Sequence, residues 1–170
     1  MSQETTLSEE QKAEMERVAG LIEQYLEAEG LDLGKVRLES ESGYPAWAFT
    51  QGSALVQVHL RPGRTQEIVY FQALAPVVAV PEENREGFYR KLLELNADEL
   101  WSCAFAVRQD TVIVTADRTT VDMDLSEVVE MVESVAAYAD RFDDELAQEF
   151  GTKRYTDTQA VGNQEAEESE

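Results

Sequence analysis

The sequence predicts an α+β domain: an antiparallel sheet with helices packed on it, in the order α-β-β-β-α-β-β-α. Three observations point to it. Gln51-Gly52-Ser53 and Arg61-Pro62-Gly63-Arg64 join neighbouring apolar runs of strand length, and connections this short pair strands antiparallel. Apolar residues recur at helical spacing near both ends of the chain, over residues 9–29 and 125–150. Between them, residues 67–118 read as a strand, a helix and a strand hairpin.

Taken in order, Thr6 with Glu9 or Ser8 with Gln11 forms a capping box for the first helix. Met15, Val18, Leu21 or Ile22, Tyr25 and Leu26 lie on its apolar face, and Gly30 suits a left-handed stop. Residues 31–42 are ambiguous, because Val36 and Leu38 alternate with Lys35, Arg37 and Glu39 as in a short edge strand. Residues 46–50 place Trp47 and Phe49 on one face. In residues 54–60, Ala54, Val56, Val58 and Leu60 form the core side of a second strand, opposite Leu55, Gln57 and His59. Residues 67–80 form a long apolar strand that Pro81 ends. Glu82, Glu83 and Glu86 then suit the positive end of a helix running to Asn96. Residues 100–107 form a strand with Trp101, Cys103, Phe105 and Val107 in register, and residues 111–116 return after the turn at Arg108-Gln109-Asp110. Asp124 with Glu127 caps the last helix, whose stripe runs from Leu125 to Phe150 before Gly151. One domain is expected over residues 1–151. Residues 152–170 read as a disordered acidic tail, with too little apolar area to offset an ordering cost of about 1–2 kcal/mol per residue.

The net charge of −21 argues against direct contact with nucleic acid or an anionic membrane, since both need basic surface. It fits solubility through self-repulsion, or attraction to a basic partner. No apolar run approaches the roughly 18 residues that span a bilayer, and residues 1–20 lack the apolar segment of a signal peptide. A cytoplasmic location follows as the expectation. The single cysteine excludes an internal disulfide.

No catalytic constellation emerges. His59, the one histidine, stands on the wetter face of its strand without a partner for general-base work. Cys103 alternates with bulky apolar residues, as a buried structural thiol does. Asp122-Met123-Asp124 lacks the glycine and the distant glutamate of a calcium loop, and helix capping explains it better. No glycine motif cradles a phosphate. No enzymatic activity, metal or cofactor is expected. The middle helix is more informative: Phe88, Leu92 and Leu95 share one side, and Tyr89, Leu93 and Asn96 lie about 100° round. Such an arc is wider than one sheet face needs, and the surplus faces a neighbouring helix or another subunit.

Short segments occur along the chain in a fixed order: Trp47-Ala48-Phe49, a Gly-Ser turn with Ala54-Leu55-Val56-Gln57-Val58, Val78-Ala79-Val80-Pro81, and Leu92-Leu93-Glu94-Leu95-Asn96. Phe105-Ala106-Val107, Thr111-Val112-Ile113-Val114, Ala139-Asp140 and Glu145-Leu146 complete the set. Over residues 10–150 this ordered set resembles the YbjN family, whose members are similar in fold to the chaperones of bacterial type III secretion. The resemblance implies the same fold, no enzymatic activity, and usually a dimer built on the middle helix and the nearby strand. It also implies an extended partner segment held on apolar patches, with stress response or regulation as the setting. Leu92, Leu93, Leu95, Trp101 and Phe105 match those positions, and Phe88 joins them through the helix arc. The leading expectation is thus a homodimeric, chaperone-like adaptor or regulator that binds a protein. The alternative is a small-ligand-binding domain or enzyme with a pocket between helices and sheet.

A charge of −21 also makes the fold sensitive to salt. The melting temperature should rise from about 10 to about 150 mM salt, as the screening length drops from about 30 to about 8 Å. A flat or falling melting curve series would show that self-repulsion is not a significant part of its stability.

Overall fold

The structure is a computed structural model that describes residues 7–39, 43–63 and 68–158. β1 (Ala46–Gln51), β2 (Ala54–Pro62), β3 (Val69–Ala79), β4 (Ala104–Arg108) and β5 (Thr111–Thr119) form one antiparallel sheet in the order β1-β2-β3-β5-β4. The helices are α1 (Glu9–Ala28), α2 (Leu33–Val36), α3 (Arg85–Asp98) and α4 (Leu125–Phe150). The predicted class and order hold, with α2 as an added turn of helix.

Local chemistry sets the ends of α1 and α4. Ser8 and Gln11 make the capping box of α1; the competing choice, Thr6, lies outside the described residues. At the other end Gly30 takes φ +76°, and the Leu31 and Gly30 N–H groups donate to Leu26 O and Glu27 O. That pairing satisfies carbonyls the helix cannot. Asp124 and Glu127 cap α4 as expected, and left-handed Gly151 ends it.

Register separates the two faces of the sheet. One row runs Trp47–Val58–Ala73–Ala116 across four strands, all buried, and belongs to the face that α1 and α4 cover. Tyr25 of α1 reaches Phe49, and Phe142 of α4 meets Phe105 edge-on at 5.4 Å. The opposite face carries the row Ala48–Gln57–Leu74–Thr115–Ala104. Asp117 is the one carboxylate in the five strands, so the acidic charge sits on helices and loops.

Four local expectations need correction. The described part of the 31–42 stretch, residues 31–39, holds no edge strand: Asp32 accepts from the Gly34 N–H and starts α2, after which an isolated bridge, Arg37 to Trp47, touches β1. Ser40 to Ser42 lie outside the described residues. α3 begins at Arg85 rather than after Pro81, because the Val80 N–H is still tied to Asp110 O and left-handed Asn84 sets the entry. Residues 100–103 are not strand. The Leu100 N–H donates to Leu95 O, closing α3, and Ser102 at φ +61° turns the chain before β4 starts at Ala104.

The fourth concerns the end of the chain. The β2–β3 ladder stops at Gln57–Leu74, and residues 152–154 come back to the far end of β3. The Ala79 N–H donates to Lys153 O at 2.9 Å, Thr152 Oγ1 donates to Ala79 O at 2.7 Å, and Arg154 bridges to Val78. The Arg154 guanidinium is held by Asp144 and Asp157, each at 2.9 Å. Residues 152–158 therefore belong with the domain, and the remainder of the expected acidic tail, residues 159–170, lies outside the described residues. Thr152→Val should cost about 1 kcal/mol, the usual net worth of one such bond. It should appear as a lower urea midpoint at unchanged slope. An unchanged midpoint would show that the clasp adds nothing to stability.

Candidate functional site

The six residues expected at an interface divide sharply. Phe88, Leu92 and Leu95 of α3 and Phe105 of β4 are buried within the chain. Phe88 packs edge-on against Phe150 of α4 at 4.9 Å, and Lys91 reaches Glu145 and Glu149 at 3.5 and 3.4 Å. α3 thus spends its first apolar stripe on α4 and β4, so these four residues are core rather than interface. The stripe 100° round stays outside: Leu93 is 68% exposed, and Tyr89 is exposed too. Trp101 is 78% exposed, while its backbone N–H donates to Tyr138 Oη of α4 at 3.1 Å. It stands off the sheet, so the Trp101–Phe105–Val107 ladder expected from the sequence is not formed. Leu93 and Trp101 are the two expected interface residues left for a partner.

Asn96 has a structural role that its place in the sequence does not show. Its Nδ2 donates to Phe105 O at 3.2 Å, and its Oδ1 accepts from the Phe105 N–H at 2.6 Å. The side-chain amide therefore copies the two bonds of a neighbouring strand and closes the outer edge of β4 at that residue. Nothing in the local spacing of the sequence marks this role, since it depends on where α3 lies against β4.

The candidate chemical groups sit apart. His59 lies on the face opposite α1 and α4, 3.4 Å from Gln57 Oε1. Its pKa is lowered, first by burial and then by the positive charges of Arg61 and Arg108. Burial pushes the Cys103 thiol up to about 11, which leaves it protonated and unreactive near neutral pH. Asp124 is held below the usual carboxylate range by hydrogen bonds from Ser126 and the Glu127 N–H, the signature of a helix cap. Among the described residues no group of histidine, cysteine and carboxylate side chains is placed to hold a metal.

Three surface clefts are lined by described residues. One, of about 550 Å³, lies between α1 and the β5–α4 link, where Arg17 is already committed to Glu14, Thr120 O and Met123 O. A second, of about 540 Å³, lies beside Pro81 and the residue 152–153 clasp. The third, of about 320 Å³, lies between the end of β5 and α4 and is lined by Ser102, Cys103, Asp117, Arg118, Glu127 and Glu130, among others. Arg118 is paired with Glu127 across it.

Residues 34–158 match the family model described as T3SS (YopN, CesT) and YbjN peptide-binding chaperone 1. The chain belongs to this family. Among solved structures, the ExsC–ExsE complex contains a chain of similar fold, with a TM-score of 0.55 at 18% identity, covering 78% of this chain and 95% of that one. The Yersinia pestis type III secretion chaperone SycH, in complex with a stable fragment of YscM2, aligns at 17% identity with a TM-score of 0.46. That alignment covers 71% of this chain and 94% of that one. No curated protein matches. The family is described as peptide-binding chaperones, which supports a protein-binding role, and the ExsC–ExsE chain shows the same fold. No helix among the described residues is long and apolar enough to cross a membrane.

Asn96→Ala should cost about 1–3 kcal/mol, since two backbone groups of Phe105 lose their partners. Amide hydrogen exchange at Phe105 should accelerate in the variant, and unchanged exchange would show that the amide closes nothing.

Proposed function

We propose that this family member is a peptide-binding adaptor of the chaperone kind, non-enzymatic and cytoplasmic, that works as a homodimer and holds an extended segment of a partner protein. The observation that carries the reading is the exposure of Leu93 and Trp101, two large apolar side chains on α3 and just beyond its end. An apolar patch left open to solvent is a surface a partner can cover. A dimer of standard size buries about 800 Å² on each partner, with charge kept to the rim. Tyr89 of α3 and Val107 of β4 are exposed as well. The stress-response or regulatory setting rests on the family resemblance alone.

Light scattering at micromolar concentration should give twice the chain mass for the wild type. Leu93→Glu and Trp101→Glu should each give the single-chain mass with unchanged circular dichroism and melting temperature. Leu92→Glu serves as the contrast, because a charge there enters the core and should unfold the chain. A monomeric wild type, or dimeric Leu93 and Trp101 variants, would overturn the dimer.

A further inference from the structure

β5 runs over nine residues, and β4 pairs with only the first five of them, Thr111 to Thr115. The shortfall is built in: left-handed Ser102 turns the chain off the sheet before it can pair with Ala116 and the residues after it. Direction along the exposed edge follows from the hairpin. Arg108 and Thr111 face each other across the two-residue turn, and the residues flanking such a turn form a hydrogen-bonded pair. Thr111, Ile113 and Thr115 therefore turn their N–H and C=O groups toward β4, and Asp117 and Thr119 turn theirs the same way beyond its end. The alternation agrees with Phe105, whose backbone groups point away from β5 to Asn96. Thr119 O is already taken by Arg118 Nε at 2.9 Å. The Asp117 N–H and C=O face the open edge.

The cleft of about 320 Å³ lies at this overhang. Asp117, Arg118, Glu127 and Glu130 line it, with the Asp117 carboxylate turned to the opposite face beside Thr115 and Arg61. Arg118 is paired with Glu127, and Asp117 with Arg61 at 3.3 Å, while exposed Glu130 has no ion-pair partner among the described residues. A strand laid along the overhang would pair one residue with Asp117 and turn the residues on either side of it toward α4, where Glu130 stands. The local charge and the −21 of the whole chain both favour a basic group in that position.

We propose that the overhang of β5 is a strand-addition site for an extended partner segment that carries lysine or arginine, with one basic side chain seated in the cleft against Glu130. The inference rests on the peptide-binding reading above and adds the place and the chemistry of the segment. Backbone bonds at Asp117 supply the register, and the cleft supplies selection for charge.

The test uses the full chain and a fluorescein-labelled eight-residue peptide of alternating valine and lysine, followed by anisotropy at about 150 mM salt, where distant charges are screened. The same peptide methylated at alternate backbone nitrogens removes the strand pairing, and a valine–glutamate peptide reverses the charge. The valine–lysine peptide should bind and slow amide exchange at Asp117. Binding should weaken at least tenfold for the methylated and the glutamate peptides, and as much for Glu130→Lys, a surface change that leaves the fold intact. Binding that survives both methylation and Glu130→Lys, without protection at Asp117, would be general attraction to an acidic surface and would overturn the site. A second arm selects binders from a random peptide library. Selected peptides that bind without protecting Asp117 remove the overhang site alone and leave the peptide-binding reading standing. Failure to select any binder removes both.

Discussion

α4 brings Val128, Val132, Val135, Ala136, Ala139, Phe142 and Leu146 onto the sheet, and the core of the covered face is built on that contact. At 26 residues it is about 39 Å long, close to the roughly 36 Å of the 11-residue strand β3 that it crosses most extensively. α1 packs beside it, α3 rests on it through Phe88 and Phe150, and the turn at Gly151 sends the chain back to β3. Truncating a buried Phe or Leu to Ala typically costs about 2–5 kcal/mol, against a total stability of about 5–15 kcal/mol. The stripe of α4 is therefore the part of the sequence least free to change. Its tolerance lies on the outer side, where glutamate and aspartate accumulate.

The acidic charge is distributed in a way that matters for association. The strands contain one carboxylate, Asp117, so nearly all the negative charge is carried by helices and loops. Two copies of a chain with charge −21 repel each other at a distance, but beyond about 8 Å that repulsion is screened at physiological salt. Contact must then be made by a patch whose centre is apolar. Leu93 and Trp101 meet that condition, whereas the wider arc of α3 does not, because its inner half is consumed by α4 and β4. A basic partner has the opposite problem solved for it: long-range attraction brings it close, and local geometry alone selects where it stays.

How much of this could be read in advance depended on range along the chain. α1 and α4 were legible because their signals are local: two capping boxes and the left-handed glycines Gly30 and Gly151. The strands joined by tight turns were legible for the same reason. Trp101, Cys103, Phe105 and Val107 alternate as a strand should, yet the bond from the Leu100 N–H to Leu95 O and the φ of Ser102 keep the first two out of the sheet. The periodicity of α3 showed two adjacent apolar arcs and not which one faced the core, so Phe88, Leu92, Leu95 and Leu93 looked equivalent. Thr152 and Arg154, polar residues after a helix stop, read as tail because their partners, Ala79, Val78 and Asp144, are distant in sequence or on another element. The match of residues 34–158 to a peptide-binding family supports the reading made from short ordered segments, none of them specific alone.

An open antiparallel sheet leaves unpaired N–H and C=O groups along its edges, which invite any extended chain unless something covers them. Here the cover differs from place to place. The start of β1 is met by the chain after α2, where the Leu38 N–H donates to Ala46 O and Arg37 bridges to Trp47. The outer edge of β4 is met at Phe105 by the side chain of Asn96. The step where β2 leaves β3 is met by residues 152–154. Three unrelated pieces of chain close three stretches of edge, at the cost of ordering a loop, an amide and a terminal segment. Against that background the overhang of β5 stands out, because the left-handed turn at Ser102 leads the chain away from Asp117 instead of along it. An edge kept open beside a cleft with a carboxylate at its wall is the arrangement a peptide-binding fold needs, and the arrangement a purely structural sheet would avoid.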